Sequence, residues 1–315
     1  MMSKSFVSLG MSRSGRLRSG LLLPGLVWLA LLWAPAAVAA LDVVATSSGT
    51  GFLVREIGAD QVRLTILAPP DRDLHQLQAR PTMLHAVRRA DLVVATGAEL
   101  EVGWLPAVIG QAANPRVLPG RPGYFEAAAQ VPLLDVGGPA DRAHGDVHPA
   151  GNPHVVMDPV RMAQVGTALA ERLAALDPPN AKVFRSRAAA FAERVGRQVD
   201  AWRTQLADAP GVASYHKDLV YLLDRFGLVH LGTLEPVPGV PPGAAQLRGL
   251  VTDLAGQRGV VLFASYQPAQ PPKALGQSMN WPVASLPLEP PLGADGAAYL
   301  AHIGQWVGLL GAAAP

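Results

Sequence analysis

Residues 181–207 read AKVFRSRAAAFAERVGRQVDAWRTQLA, and this stretch decides how the chain is organised. It contains no proline, and Gly196 is its single glycine. Its large apolar residues recur at spacings of three, four or seven and therefore share one face of a helix; they are Phe184, Phe191, Val195, Val199, Trp202 and Leu206. A helix of about 27 residues is roughly 40 Å long, enough to run the length of a domain or to join two domains. The pattern leaves both roles open.

Short apolar strands alternate with helices on both sides of this stretch. Before it, we predict strands at 41–45, 62–67 and 91–96, and helices at 46–58 and 81–89. After it, we predict helices at 219–226, 244–257 and 299–310, and strands at 228–233, 260–264 and 282–288. This alternation is typical of parallel sheets flanked by helices. We therefore predict an α/β fold with a first lobe at 41–175, a long helix at 176–208 and a second lobe at 209–315.

Residues 1–40 have the order of a secretory signal peptide. Four basic residues precede an apolar run at 21–33, and an Ala-x-Ala cleavage pattern follows at 37–39. The run has about 13 residues and contains Pro24, whereas a membrane-spanning helix needs about 20. We predict cleavage near residue 40 or 41 and export of the remainder; an uncleaved anchor is the alternative.

Composition excludes several classes of function. Beyond the leader there are 22 basic and 24 acidic residues, so there is no basic excess that would favour nucleic acid. The chain has no cysteine, which excludes disulfides, thiolate zinc sites, iron–sulfur clusters and cysteine nucleophiles. A metal site would have to use histidine and carboxylate ligands. No Gly-x-Ser-x-Gly elbow is present, which leaves nucleophilic catalysis with little support.

Four side chains with metal-binding chemistry lie at the ends of predicted elements. His75 lies in the loop beyond strand 62–67, His154 ends the Gly-Asn-Pro-His run, His216 follows the apolar segment 211–214, and Glu289 follows strand 282–288. Ligands of doubly wound sheets bind beyond the carboxyl ends of the strands. A single loop histidine is usually solvated or hydrogen-bonded, and no His-Glu-x-x-His helix is present, so spacing alone does not establish a metal site.

Three segments carry a resemblance to a known family. They are DLH at 73–75, ADLVV at 90–94 with Gly97 and Glu99, and above all GNPHVVMDP at 151–159. With these segments the sequence resembles the metal-specific solute-binding proteins of ABC importers, the zinc and manganese receptor group called cluster A-I. The resemblance covers nearly all of the chain after the leader, and it implies two α/β lobes joined by one long rigid backbone helix.

The resemblance also implies a ligand set between the lobes. His75, His154 and His216 match the three histidine positions, and Glu289 lies where the family has a carboxylate, usually Asp. Asp295 or a water molecule is the alternative fourth ligand. Three imidazoles and one carboxylate suit tetrahedral Zn²⁺, because Mn²⁺ favours harder oxygen ligands. We expect binding to weaken as pH falls, since a protonated imidazole cannot bind a metal.

The function implied by the resemblance is that of an extracytoplasmic receptor. It would capture Zn²⁺ as a transported ligand and deliver it to an ABC permease and its ATPase, without enzymatic turnover. We expect a periplasmic monomer, no nucleic-acid partner, and a periplasmic metallochaperone as a candidate further partner. The alternatives are a receptor for manganese or another divalent metal, a zinc chaperone or adhesin, and a secreted metallohydrolase. A hydrolase would need an open coordination position for water.

A second hypothesis concerns the run DRAHGDVH at 141–148. Zinc receptors of the family often have a mobile loop rich in histidine and acidic residues at this place. By that resemblance, Asp141, His144, Asp146 and His148 would form a loop that captures metal and passes it inward. The alternative is a solvated loop whose histidines have no role.

Overall fold

The computed structural model describes residues 40–137 and 145–313. The predicted signal peptide therefore lies outside the described residues, and so do Asp141 and His144 of the predicted capture loop. Contacts between residues gather 40–315 into one compact unit. Among the described helices, none combines the length and the apolar character that crossing a membrane requires.

The first sheet is built from four parallel strands in the order β2-β1-β3-β4. These strands are β1 (Leu41–Ala45), β2 (Val62–Ile66), β3 (Leu92–Ala95) and β4 (Tyr124–Glu126). The helices that accompany them are α1 (Ser48–Gly58), α2 (Pro81–Arg89) and α3 (Leu105–Ala112). Every residue of β3 is buried, as expected for an inner strand of a parallel sheet whose faces are both covered.

Two long helices follow the first sheet, α4 (Pro159–Leu176) and α5 (Ala181–Gln205). The apolar face predicted for α5 is the buried one: Phe184, Phe191, Val195, Val199 and Trp202 are all buried. The helix packs along α4 and also against α1. It ends at Gln205, three residues before the predicted boundary at 208, and the backbone N–H of the next residue, Leu206, donates to the Trp202 carbonyl.

The second sheet repeats the strand order of the first, as β6-β5-β7-β8, again all parallel. Its strands are β5 (Gly211–Ser214), β6 (His230–Thr233), β7 (Gly259–Ala264) and β8 (Val283–Leu286). Its helices are α6 (Val220–Phe226), α7 (Ala244–Asp253), α8 (Gln270–Met279) and α9 (Gly296–Ala312). The prediction of two α/β lobes with a long helix between them in the chain is confirmed, and the exact lobe boundaries remain a prediction.

One apolar core connects the two sheets. A continuous cluster of buried side chains includes Val94 of β3, Leu262 of β7, Phe191 of α5 and Trp306 of α9. Helix α9 returns from the second lobe to pack against α5 and α1. The long helix is therefore both a core-packing element of the first lobe and a link to the second.

The segments that follow the strands carry the predicted site residues. His75 lies in a short 3-10 turn beyond β2, His216 lies two residues beyond β5, and Glu289 lies three residues beyond β8. His154 lies just before the turn Val155–Met157 that leads into α4. Parallel strands end at the same edge of their sheet, so this topology gathers the candidate ligands where the two lobes meet.

Candidate metal centre

Three of the predicted ligands meet at one point. His75, His154 and His216 each offer a ring nitrogen, and these three nitrogens lie within 4.8 Å of one another. The ring centroids are 5.3 to 5.7 Å apart. His154 and His216 are buried and His75 is partly buried. The sequence separation of these residues shows that the fold, and not local structure, brings them together.

Asp73 fixes the orientation of His75. Its carboxylate accepts a hydrogen bond from the backbone N–H of His75 at 2.9 Å and another from the ring Nδ1 at 2.7 Å. Burial by itself would raise the pKa of Asp73, but its hydrogen bond with His75 and the charge of that ring hold the pKa below its usual value. An ionised Asp73 can only accept, so His75 carries its proton on Nδ1.

Asn152 plays the same part for His154. Its side-chain oxygen accepts from the His154 backbone N–H and from ring Nδ1, both at 2.9 Å. Its side-chain nitrogen donates to the carbonyl of Lys217 at 2.7 Å, which assigns the amide orientation. Burial lowers the pKa of His154 well below the usual value, and the neighbouring His216, His75 and His148 lower it further. This ring therefore stays neutral, as a metal ligand must.

Glu235 holds His216 from the second sheet. Its carboxylate lies 2.8 Å from the Nδ1 of His216, and it follows β6 by two residues. Burial would lower the pKa of His216, but the hydrogen bond to Glu235 and the charges of Asp218, Glu235 and Asp73 leave the pKa raised. Protons therefore compete with a metal for the Nε2 of His216 at a higher pH than they would at an ordinary histidine.

The three hydrogen bonds share one consequence. In each ring Nδ1 donates to an oxygen, so a neutral ring keeps its lone pair on Nε2. Histidines that bind a metal through one ring nitrogen usually donate a hydrogen bond from the other ring nitrogen to an oxygen. The site can therefore bind a soft or borderline divalent cation through three nitrogens without any change of tautomer.

Glu289 lies close to this group but is engaged elsewhere. Its buried carboxylate accepts a hydrogen bond from the backbone N–H of Gly49 at the start of α1. A Cβ at Gly49 would lie 2.5 Å from that oxygen, so only glycine allows the approach. Burial raises the pKa of Glu289 to about 7. The carboxylate is not one of the three-nitrogen group, and its role as fourth ligand remains a prediction.

The space between Glu289 and the histidines is small. A cavity of about 10 Å³ lies among His75, His154, Tyr266 and Glu289, room for about one water-sized sphere. The reserve candidate, Asp295, is the N-cap of α9 and accepts from the backbone N–H of Ala298 at 2.9 Å. It therefore has a structural role in starting that helix.

Two residues of the predicted capture loop are described, and one reaches the site. The Nε2 of His148 lies 3.0 Å from the Nε2 of His75, and its Nδ1 lies 3.1 Å from the carbonyl oxygen of Ala98. The backbone N–H of Asp146 donates to the carbonyl of Pro238 at 3.0 Å. Whether the loop captures metal remains a prediction.

A cleft connects the histidines with the outside. Its volume is about 620 Å³, and His75, His216, Asp73 and Glu235 are among the residues that line it. Sequence reasoning missed Glu235, although its position just after a strand is the same signal that singled out Glu289. The cleft is lined by four carboxylates and two guanidinium groups, and this negative excess favours cations; the residues are Asp71, Asp73, Asp146, Glu235, Arg72 and Arg80.

A family model matches this chain over residues 43–311; it is described as ZnuA, zinc-uptake complex component A, periplasmic. The high-affinity zinc uptake system protein ZnuA of Yersinia pestis is 24% identical over 252 residues, covering 74% of this chain and 78% of that protein. The family match extends over both lobes and over all three histidines.

Solved structures share the fold. A crystal structure of ZnuA aligns with a TM-score of 0.74 at 21% identity and covers 88% of this chain and 100% of the other. A solute-binding protein of Pseudomonas aeruginosa, FpvC in complex with Mn²⁺, aligns with a TM-score of 0.73 at 22% identity, covering 87% and 98%. At these identities the likeness concerns the fold, and the metal has to be argued from the site.

Proposed function

Because the chain belongs to the ZnuA family of periplasmic zinc-uptake components, we propose that it is a receptor that captures Zn²⁺ outside the cytoplasm and delivers it to an ABC importer. Receptors of this family bind a substrate and do not transform it, so the chain is not an enzyme. The transported ion is bound by His75, His154 and His216.

One observation carries this proposal: the three nitrogens lie within 4.8 Å of one another, and each ring is held by an oxygen at Nδ1. Zn–N bonds of about 2.0–2.1 Å require nitrogens about 3.3 Å apart in a tetrahedral shell, so each pair needs to approach by at most about 1.5 Å. Zn²⁺ accepts a nitrogen-rich shell, whereas Mn²⁺ favours several oxygen ligands. The donor set therefore supports zinc over manganese.

The test is metal analysis of the purified chain without its leader. We expect one zinc per chain, retained in competition with Mn²⁺, and His154→Ala should lose most of it. His85→Ala is the control, because His85 is exposed on α2. A wild-type protein that takes up no zinc, or a His154→Ala variant that binds zinc like the wild type, would contradict the proposal.

The same proposal extends to partners and location. A permease and its ATPase would receive the ion, the receptor would act as a monomer, and a periplasmic metallochaperone is a candidate donor.

Residues 1–40 would be a cleaved signal peptide. The lobes would be 41–175 and 209–315, with 176–208 as the connecting helix. The family description as a periplasmic component and the Ala-x-Ala pattern support export.

A further inference from the structure

A basic surface lies at the edge of the first sheet that is opposite the metal centre. Parallel strands all begin at one edge of their sheet, and His75 follows the carboxyl end of β2, so the edge where the strands begin is the far one. Five arginines lie in or beside the segments that meet at this far edge: Arg63, Arg88, Arg89, Arg116 and Arg121. We call these five residues the arginine face.

Hydrogen bonds and charges connect three members of the arginine face. Arg63 donates to Asp42 of β1 at 2.7 and 2.8 Å, and Arg116 donates to Asp91, just before β3, at 2.7 Å. The backbone N–H of Asp42 donates to the side chain of Asp91 at 2.9 Å, so the two ion pairs are neighbours. The hydrogen bond from Arg63 lowers the pKa of Asp42, and the charge of Arg89 lowers that pKa further, so Arg89 lies close as well.

The other two arginines border this group. Arg88 lies in the last turn of α2, and its side chain donates to the carbonyl of Ala112 at 3.2 Å. Arg121 lies three residues before β4, in a segment that packs on the backbone around Arg116: a Cβ at Gly123 would lie 2.5 Å from the Arg116 carbonyl oxygen. All five residues therefore belong to one edge of the first lobe.

The arginine face has a surplus of positive charge. Arg88, Arg89 and Arg121 are exposed, and none of them forms an ion pair with another described residue. Arg63 and Arg116 are paired, but both side chains are 58% exposed. The surplus is local, because the chain after its leader has more acidic than basic residues. Positive charge thus gathers at this edge, and carboxylates gather in the metal cleft at the opposite edge.

Stabilisation of secondary structure accounts for only part of this charge. Arg88 and Arg89 lie at the carboxyl end of α2, where positive charge interacts favourably with the helix dipole. Arg121 lies in no helix, so this explanation does not apply to it. Beside the face, Asp60 pairs with Arg187 and adds no net charge. An exposed positive surplus therefore remains without a structural role.

The chain joins its predicted leader at the same edge. β1 begins at Leu41, and residue 40 directly precedes it. A leader that is held in a membrane, during export or as an uncleaved anchor, is therefore connected to this edge without a spacer. Guanidinium groups bind phosphate well, and phospholipid headgroups present phosphates over an extended surface. Charge and connection thus favour the same occupant.

We propose that the arginine face binds the anionic surface of a phospholipid bilayer. The attraction falls off within a Debye length and is weakened by salt, so the binding is reversible. Because the metal cleft lies at the opposite edge, a chain bound in this way keeps the cleft open to the surrounding solution. This membrane contact goes beyond the receptor function and does not depend on zinc binding.

The test is co-sedimentation of the chain without its leader with lipid vesicles. We expect it to bind vesicles of equal parts phosphatidylglycerol and phosphatidylcholine at low salt, and not vesicles of phosphatidylcholine alone. Raising the salt to about 0.5 M should release it. The double variant Arg89→Glu with Arg121→Glu should bind at least about tenfold more weakly, because two positive charges at the surface become negative. The wild-type result needs no variant and so does not depend on how a variant folds.

The matched control makes the same change of net charge elsewhere. It is Arg197→Glu with Arg203→Glu on α5, where the side chains are 71% and 59% exposed, and its binding should stay close to that of the wild type. A wild type that does not bind the anionic vesicles, or equal losses in the two double variants, would overturn the proposal. So would a wild type that binds a short DNA duplex in preference to the vesicles. The zinc content of the purified chain tests the receptor function separately, so the two proposals can fail independently.

Discussion

At the scale of single residues, three side chains perform one task. Each accepts a hydrogen bond from the Nδ1 of one histidine. Asp73 of the first lobe and Glu235 of the second lobe use a carboxylate oxygen, and Asn152, two residues before His154, uses an amide oxygen. Each bond fixes both the rotation of a ring and its tautomer. The metal-binding nitrogens are therefore oriented before an ion arrives, which lowers the entropy cost of binding.

The hydrogen bond between Glu235 and His216 can be tested by substitution. Glu235→Ala removes the acceptor at His216 and leaves that ring free to rotate, so we expect zinc affinity to fall about 10- to 100-fold with the fold intact. Glu235→Gln should restore much of this loss, because its amide oxygen can still accept. Chelator competition measures the affinities, and Glu193→Ala, at a carboxylate 75% exposed on α5, is the control. Equal affinities for Glu235→Ala and Glu193→Ala would refute the orienting role.

Part of the site could be predicted from residues alone. His75, His154 and His216 were singled out because each lies at the end of an element, and the resemblance gave them a common role. His148 and Glu289 were also singled out, but the contacts that they make could not be found in this way. Their decisive contacts join residues 73 and 240 positions apart in the chain, and no spacing rule covers such a contact.

At the scale of elements, prediction succeeded where the apolar pattern was long or fully buried. The strands at 41–45 and 260–264 were placed within one residue, and so was the apolar face of α5. Helix α4 was missed, although Pro159 at its first turn and the buried Met162, Val165, Leu169 and Leu173 carry a helical period. β4 has only three residues, too few for any period to emerge.

A buried carboxylate at the start of α4 joins this helix to α6. Asp158 is fully buried, caps α4 and binds Arg225 of α6 through two hydrogen bonds of 2.9 and 2.7 Å, and Arg161 at 2.6 Å. Asp158→Ala leaves the guanidinium of Arg225 without its carboxylate and leaves Arg161 with Asp224 at 3.2 Å, so we expect the free energy of unfolding to fall by about 3–5 kcal/mol. Urea denaturation of the metal-free protein measures this change.

The matched control for this prediction is an exposed ion pair. Arg185 and Glu171 form two hydrogen bonds of 2.7 Å, but both side chains are 55% exposed. Glu171→Ala should therefore lower the free energy of unfolding by less than about 1 kcal/mol. If Asp158→Ala and Glu171→Ala lowered the free energy of unfolding by similar amounts, the buried Asp158 cluster would contribute no more to stability than an exposed ion pair.

At the scale of the whole molecule, hydrogen bonds other than those of the three histidine rings tie the two lobes together. The Tyr299 hydroxyl of α9 donates to the Val156 carbonyl at 2.7 Å, and the Tyr221 hydroxyl of α6 donates to the Asn152 carbonyl at 2.6 Å. The backbone N–H of Gly296 donates to Glu56 of α1 at 2.9 Å. Together with the shared core, these bonds oppose wide rotation of one lobe against the other.

Zinc binding should therefore change the overall dimensions very little. A hinge that opens widely would have to break these buried hydrogen bonds and bend α5, a continuous helix of 25 residues packed on α4, α1 and α9. Movements of loops such as the one carrying His148 require neither, so release to a permease would work through small shifts near the ion. For about 275 residues we expect a radius of gyration of about 19 Å both with and without zinc, differing by less than about 1 Å. Small-angle X-ray scattering on the two forms measures the radius of gyration directly. A decrease of several ångströms on adding zinc would contradict this prediction. It would mean that the lobes close as rigid bodies about a hinge, despite the packing of α5.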